Sequence, residues 1–222
     1  NERCYFLDAM KKIPIPNVPW RASSLWSLQP YPLFVSVVTL LLFGVGDGML
    51  LQSQLGNSPW TIFAEGLSLH TPLSVGMSSL LISAVILLLW LPLRIKPGLN
   101  TILNAVLIAI AIDLTRQWVP TPSVLWQQIV LGVSGIVLTG ISGAYYLSVN
   151  MGAGPRDGVM VALSSRYGIS VAWIRTCMEV CACAVGWALG GTVGLGTIAF
   201  ALCIGPVLGW TLRWFQRRYP QT

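Results

Sequence analysis

The sequence predicts an all-α fold, a polytopic membrane protein with six transmembrane helices arranged as a 3+3 inverted repeat with two short half-helices. The 222-residue chain is 55% hydrophobic and 9% charged, with a mean hydropathy of +0.72, whereas soluble domains are about 25% charged. A helix needs about 20 mostly apolar residues to cross the hydrocarbon. Six runs qualify, at residues 33–52, 74–94, 101–118, 124–148, 169–190 and 197–215.

The second observation is an internal repeat with an offset of 96 residues. Twelve positions between 55 and 105 match their counterparts, where chance would give about 4. In the first copy these are Gly56, Pro59, Leu67, Ser68, Ser74, Val75, Leu93, Gly98, Leu99, Thr101, Ile102 and Ala105. Because each copy holds three spans, the second copy must cross the membrane in the opposite sense. The predicted units are an arm at 1–31 and repeats at 32–118 and 124–215.

Each repeat carries a Gly-x-x-Pro segment after its first span, LGNSPWTIFAEGLS at 55–68 and MGAGPRDGVMVALS at 151–164. Ser58 and Gly154 suit the N-cap of a helix, and Pro59 and Pro155 suit its first position. Eleven residues rise about 16 Å, roughly half of the hydrocarbon thickness. The pattern therefore predicts one half-length helix in each repeat.

Two placements of these short helices are consistent with the sequence. In one, they are re-entrant and aim their N-termini at a central cavity. In the other, they lie along the two membrane interfaces, with Trp60, Phe63, Ala64 and Leu67 in lipid and Glu65 towards water.

A Gly-Leu-x-Thr turn precedes the third and the sixth span. Gly98 and Gly194 permit a tight turn. Thr101 and Thr197 are the predicted N-caps of the following helices.

Four ionisable residues fall inside or near spans, where an unpaired charge costs at least ~2.5 kcal/mol at the bilayer centre. Arg175 and Glu179 are four residues apart and are expected to pair. Asp113 lies near a span end and is expected to reach water. Asp47, in FGVGDGML, lies deepest. Asp47 and Glu179 are the candidate groups for ion or proton coupling, although Glu179 could equally be a structural counter-ion.

Free N–H groups and the positive dipole end of a re-entrant helix would favour an anion or a carboxylate. The predicted solute-binding residues follow from this idea. They are Ser58, Pro59, Gly152, Gly154, Pro155, Arg156, Asp157 and Arg175.

Several classes of function are not expected. The sequence has no HExxH, GxSxG or Walker motif and a single histidine, His70, so we expect neither an enzyme nor a cofactor. Cys177 and Cys181 are more typical of helix packing than of a metal site. The net charge of +6 sits at span ends rather than on a basic stripe, so a nucleic-acid partner is not expected.

The basic residues predict the topology through the positive-inside rule. With six spans and a cytoplasmic N-terminus, only Arg116 lies outside. The inside residues are Arg3, Lys11, Lys12, Arg21, Arg94, Lys96, Arg156, Arg166, Arg213, Arg217 and Arg218. Both termini are therefore expected in the cytoplasm, and Trp20 and Trp26 of the arm at the lipid headgroups.

The segments LGNSPWTIFAEGLSLHTPLSVG, KPGLNTILNA, MGAGPRDGVMVALSSRYGISVAWIRTCMEV and GGTVGLGTIAFALCIGP resemble those of the bacterial YczE-like membrane proteins, which are distantly related to the YitT group. The resemblance extends from about residue 35 to 210. It implies a polytopic protein of the bacterial plasma (inner) membrane and no particular activity.

Two functional hypotheses follow. The first is a transporter-like protein that binds or moves a small solute, with anions as one candidate class, between the repeats. The second is a scaffold or regulator that binds a protein partner through its arm and the basic GPRDG face. Membrane lipid is expected to surround the protein. A homodimer through Gly132, Ser134 and Gly135 and packing of these residues within one bundle are both open.

Overall fold

The computed structural model describes residues 18–219, which contain nine helices and no strand. Six segments are long and apolar enough to cross a membrane, α3 and α4 together forming one of them. The helices are α1 Pro30–Gln52, α2 Pro59–Leu69, α3 Val75–Leu88, α4 Trp90–Leu93, α5 Leu99–Trp118, α6 Leu125–Ser148, α7 Pro155–Tyr167, α8 Val171–Ala188 and α9 Leu195–Arg218.

The all-helical fold and the six long helices are confirmed, and both short helices form where the sequence places them. The predicted span 74–94 is interrupted at Leu89, between α3 and α4. Pro92 accounts for the break, because it has no N–H to donate to the carbonyl of Leu88 one turn earlier.

Helices α1 and α6 form the central packed pair. A Cβ atom on Gly46 would lie 2.3 Å from Oγ1 of Thr139, and one on Gly135 would lie 2.6 Å from the carbonyl oxygen of Gly46. The backbones thus approach closely, as small residues allow in membrane helices. Gly132 also packs against this region and only Ser134 is exposed, so the two glycines serve packing within the bundle.

The turn of each half is hydrogen-bonded to the Gly-x-x-Pro loop of the other half. The N–H of Asn100 donates to the carbonyl of Met151 at 3.0 Å, and the N–H of Gly196 donates to the carbonyl of Leu55 at 2.7 Å. Both donors and both acceptors are related by the 96-residue offset. Corresponding residues thus make corresponding contacts, while the opposite membrane orientation of the halves stays a prediction.

Glycine is required where each turn contacts the Gly-x-x-Pro loop of the other half. Gly56 and Gly152 share the same left-handed φ of +110°, which L side chains rarely adopt. A Cβ on Gly56 would lie 2.4 Å from the nitrogen of Gly194, and one on Gly152 would lie 2.9 Å from Cα of Gly98. The spacing that the two repeats share therefore reflects the backbone contact between each loop and the turn of the other half.

The predicted N-caps of α5 and α9 are wrong by three residues. The helices begin at Leu99 and Leu195, so Gly98 and Gly194 occupy the N-cap positions. The hydroxyls of Thr101 and Thr197 instead accept hydrogen bonds from the N–H groups of these glycines, at 3.1 and 3.3 Å. Both helices thus begin within the turn that is hydrogen-bonded to the loop of the other half.

Asp113 is partly exposed, and its carboxylate is also held by the protein. Its carboxylate accepts hydrogen bonds from the Ser74 hydroxyl and, at 2.8 Å, from the Gly76 N–H. These groups open α3, whose first N–H groups have no partner within the helix. Asp113 therefore ties α5 to the start of α3.

The described part of the predicted arm packs on the bundle, while residues 1–17 lie outside the described range. Trp20 is buried, stacks on Tyr145 and donates from Nε1 to Oγ of Ser148 at 2.8 Å. The expectation of a headgroup position is therefore wrong for the Trp20 ring, which is enclosed by protein. Trp26 is 55% exposed.

The close approach of α1 and α6 gives a direct test. We expect Gly46→Ala to lower the unfolding midpoint of the detergent-solubilised protein by about 5 °C or more, since it overpacks this contact. The matched control is Gly209→Ala in α9, where an added Cβ meets nothing within 4 Å. Equal midpoints for the two variants would contradict the packing described.

Candidate functional site

A cavity of about 120 Å³ lies where α2 and α7 begin. Five other helices close it, so it sits inside the bundle. Its lining residues are Phe43, Asp47, Ser58, Pro59, Trp60, Asn104, Ile108, Thr139, Gly143, Tyr146, Leu147, Gly154, Arg156, Asp157, Met160, Arg175, Glu179, Phe200, Ile204 and Leu208.

Eight of the ten predicted site residues line this cavity. The other two, Gly152 and Pro155, do not. Gly152 packs against Gly98, and the carbonyl of Pro155 accepts a hydrogen bond from Nε1 of Trp90 at 2.9 Å. The backbone at these two positions contributes to the contact between the halves.

The N-termini of the two short helices meet in the cavity. Cζ of Arg156 lies 4.8 Å from the centre of the Trp60 ring, within the range of a cation–π interaction. Each residue directly follows the proline that begins its helix, and the two positions are related by the 96-residue offset. The equivalent residues of the two repeats are therefore in contact.

The surroundings of α2 differ from those of a helix lying along the interface. Ile62 and Ala64 are fully buried in protein, and Ile62 contacts Gly186 of α8. Glu65 does not point freely to water. Its carboxylate accepts hydrogen bonds from Nδ2 of Asn57 at 2.7 Å and from the backbone N–H and hydroxyl of Thr192 at 2.7 and 2.9 Å.

Asp47 is the most deeply placed acidic residue of the cavity, with 4% of its surface exposed. Its Oδ1 atom has no hydrogen-bond partner among residues 18–219. Ser58, at the N-cap of α2, is 2.8 Å from the Thr61 hydroxyl. The buried hydroxyl of Thr139 also lacks a partner within the described range.

Arg156 is surrounded by acidic groups without touching them. Removal from water lowers the pKa of its guanidinium, and the negative charges of Asp47 and Asp157 oppose that shift. Arginine keeps its proton in such sites. The side chain forms no hydrogen bond or ion pair with any residue in 18–219, so its planar set of donors is available.

Asp157 is held by the protein. The hydroxyl of Tyr146 donates to its carboxylate, and the N–H of Gly154 donates to the same hydroxyl oxygen at 3.2 Å. A carboxylate in the first turn also complements the positive end of α7. Asp157 therefore orders the start of the short helix.

The predicted pair on α8 is confirmed. Nε of Arg175 lies 2.8 Å from Oε1 of Glu179, and their side chains are 42% and 24% exposed. The pair forms a partly exposed edge of the cavity. The two charges of this pair neutralise each other. The other charged residues of the lining are Asp47, Arg156 and Asp157, and of these Asp157 is held by the Tyr146 hydroxyl.

Sequence reasoning missed Trp60, Thr139 and Tyr146 as members of the lining. Trp60 had a usable signal, since it occupies the repeat position of Arg156. The other two are ordinary residues of apolar helices, and only the folded chain places their polar atoms beside the cavity.

Comparisons with known proteins agree with this architecture. Residues 31–213 match the Family of unknown function (DUF6198). The chain belongs to this family. It is 38% identical to a protein of Haemophilus influenzae over 91% of the chain and 93% of that protein. The membrane protein YczE of Bacillus subtilis is 34% identical over 78% of the chain and 81% of its own length.

A third relative, YyaS of Bacillus subtilis, is 28% identical over 77% of the chain and 87% of its own length. No solved structure matches the chain. The resemblance to the YczE-like proteins is thus confirmed, and the chain is a multi-pass membrane protein of this family.

The Glu65 contacts give a testable prediction. Glu65→Ala removes two hydrogen bonds to Thr192 in the turn before α9 and one to Asn57 in the loop before α2. We expect it to destabilise the protein by about 2 kcal/mol or more. Thr192→Val keeps the backbone donor and should cost less. Equilibrium unfolding of the solubilised protein measures the stability of both variants. A Glu65→Ala variant as stable as the wild type would contradict a stabilising role of these hydrogen bonds.

Proposed function

We propose that the protein binds a small solute in the cavity between α2 and α7 and moves it across the membrane. The observation that carries the proposal is the meeting of the two short-helix N-termini at a cavity that also holds the unpaired guanidinium of Arg156. Helix N-termini and arginine both favour an anionic group. The solute therefore carries at least one such group.

Movement across the membrane is supported by the repeat. One short helix follows the first span of each half, and the charge pattern supports a location of the two loops on opposite faces. For their N-termini to touch, both helices must enter the membrane from their own side. A binding site built from two re-entrant elements lies where each half could close one access route.

Asp47 and Glu179 remain the candidates for ion or proton coupling. Asp47 is buried with a free carboxylate oxygen. A proton or cation that binds to this oxygen would neutralise a buried negative charge. Glu179 already pairs with Arg175, so it would first have to leave that contact.

The scaffold hypothesis is less favoured. It needs the basic GPRDG loop to be exposed at the cytoplasmic surface of the protein, whereas Arg156 of that loop lies against Trp60 in the cavity. The described part of the arm, residues 18–31, also packs on the bundle through Trp20. We accordingly place the function in the bundle interior.

We further propose that the protein resides in the bacterial inner membrane with both termini in the cytoplasm. The basic residues at the span ends support this orientation. It also puts the Gly56 loop outside and the Gly152 loop inside.

Arg156 provides the main test. We expect a thermal-shift screen of the purified protein against small carboxylates, inorganic phosphate and amino acids to find a stabilising solute. Arg156→Ala should weaken its binding by about tenfold or more, because a charge-assisted hydrogen bond is lost. Arg166→Ala, on the exposed end of the same helix, is the matched control and should bind normally.

Uptake of that solute into proteoliposomes separates transport from binding. Wild-type uptake with no accumulation in Arg156→Ala vesicles is the expected result. Equal uptake by both Arg156→Ala and Arg166→Ala would contradict the assigned site.

Reporter fusions test the topology. A fluorescent protein fused after Thr222 should fluoresce in the cytoplasm, and alkaline phosphatase fused after Trp118 should be active outside it. The reverse pattern would overturn the proposed orientation without affecting the fold.

A further inference from the structure

We propose that the solute is a small zwitterion, whose anionic group binds Arg156 and whose ammonium group binds Asp47. This inference rests on the proposed function and narrows its substrate class. It follows from two opposite charges that line the same cavity and that form no ion pair with any residue in 18–219.

The first charge is the carboxylate of Asp47. It is 4% exposed, and its Oδ1 atom accepts no hydrogen bond from residues 18–219. A buried carboxylate without a donor is costly, and most such groups in proteins are satisfied. The free oxygen is therefore matched to a donor that arrives with a ligand.

The second charge is the guanidinium of Arg156, whose Cζ lies over the Trp60 ring rather than against a carboxylate. Its nearest acidic neighbours in the chain are occupied elsewhere or too distant for contact. Asp157 is bound by Tyr146, and Glu179 is bound by Arg175. The forked donors of arginine match a carboxylate in a two-point contact.

The separation of the two charges favours one ligand that carries both. Asp47 and Arg156 form no ion pair within 4.0 Å, yet each acts on the other through space. A ligand with only an anionic group would satisfy Arg156 and leave Asp47 facing additional negative charge. A zwitterion satisfies both and adds no net charge to the buried site.

Size narrows the class further. The cavity of about 120 Å³ is well below the ~300 Å³ of pockets for drug-sized ligands. Glycine, alanine and other small amino acids are in this range. The free hydroxyl of Thr139 offers one more hydrogen bond to such a ligand.

Binding to the full-length wild-type protein tests the charge requirement without any mutation. The probe is radiolabelled glycine, with alanine, acetate and methylammonium as competitors in equilibrium dialysis. We expect alanine to compete, and acetate and methylammonium to compete about tenfold or more weakly, since each lacks one charged contact.

The outcomes separate this inference from the proposed function. If acetate competes as well as glycine does, the zwitterion inference is overturned while an anion site at Arg156 survives. If glycine and alanine do not bind at millimolar concentration, the inference is also overturned, and the broader solute screen decides the proposed function. If only compounds with both a positive and a negative group compete well, the result supports the zwitterion inference and the proposed function.

Two variants assign the charges to residues. Asp47→Asn should weaken glycine binding about tenfold and leave acetate competition unchanged or improved, because only the ammonium contact is lost. Asp113→Asn makes the same chemical change at the start of α3, outside the cavity, and should leave glycine binding intact. Unchanged glycine binding in Asp47→Asn would overturn the assignment.

Discussion

The contact between the starts of two short helices determines most of this architecture. Trp60 and Arg156 meet at 4.8 Å, which brings two positive helix ends and a guanidinium together inside an apolar bundle. Such an arrangement is stable only with negative charge nearby and with backbone held in place. Asp47 and Asp157 supply the charge, and Tyr146 fixes Asp157.

The loops that lead into these helices are positioned by the opposite half of the chain. Backbone hydrogen bonds from Asn100 to Met151 and from Gly196 to Leu55 make each half dependent on the other. Glycines let the backbones approach closely at these crossings, as they do between α1 and α6. The cavity is thus a product of contacts between the repeats, and neither half could form it alone.

The repeat also makes the asymmetry of the site visible. At the position where one half has Trp60 the other has Arg156, and Asp47 corresponds to Gly143. The backbone frame is shared, whereas the charges are placed individually. A symmetric frame with unequal side chains fits a site that recognises a ligand with two different ends.

Hydropathy and the spacing of Gly and Pro were sufficient to predict the six long helices and both short ones, because these features depend on local composition and periodicity. The Arg175–Glu179 pair was predictable for the same reason, as both lie on one helix face. Tertiary structure alone placed Thr139 and Tyr146 beside Arg156, moved the helix starts from Thr101 and Thr197 to the glycines, and gave Glu65 and Asp113 their partners. These contacts join segments far apart in the chain, and their distances depend on how the helices pack.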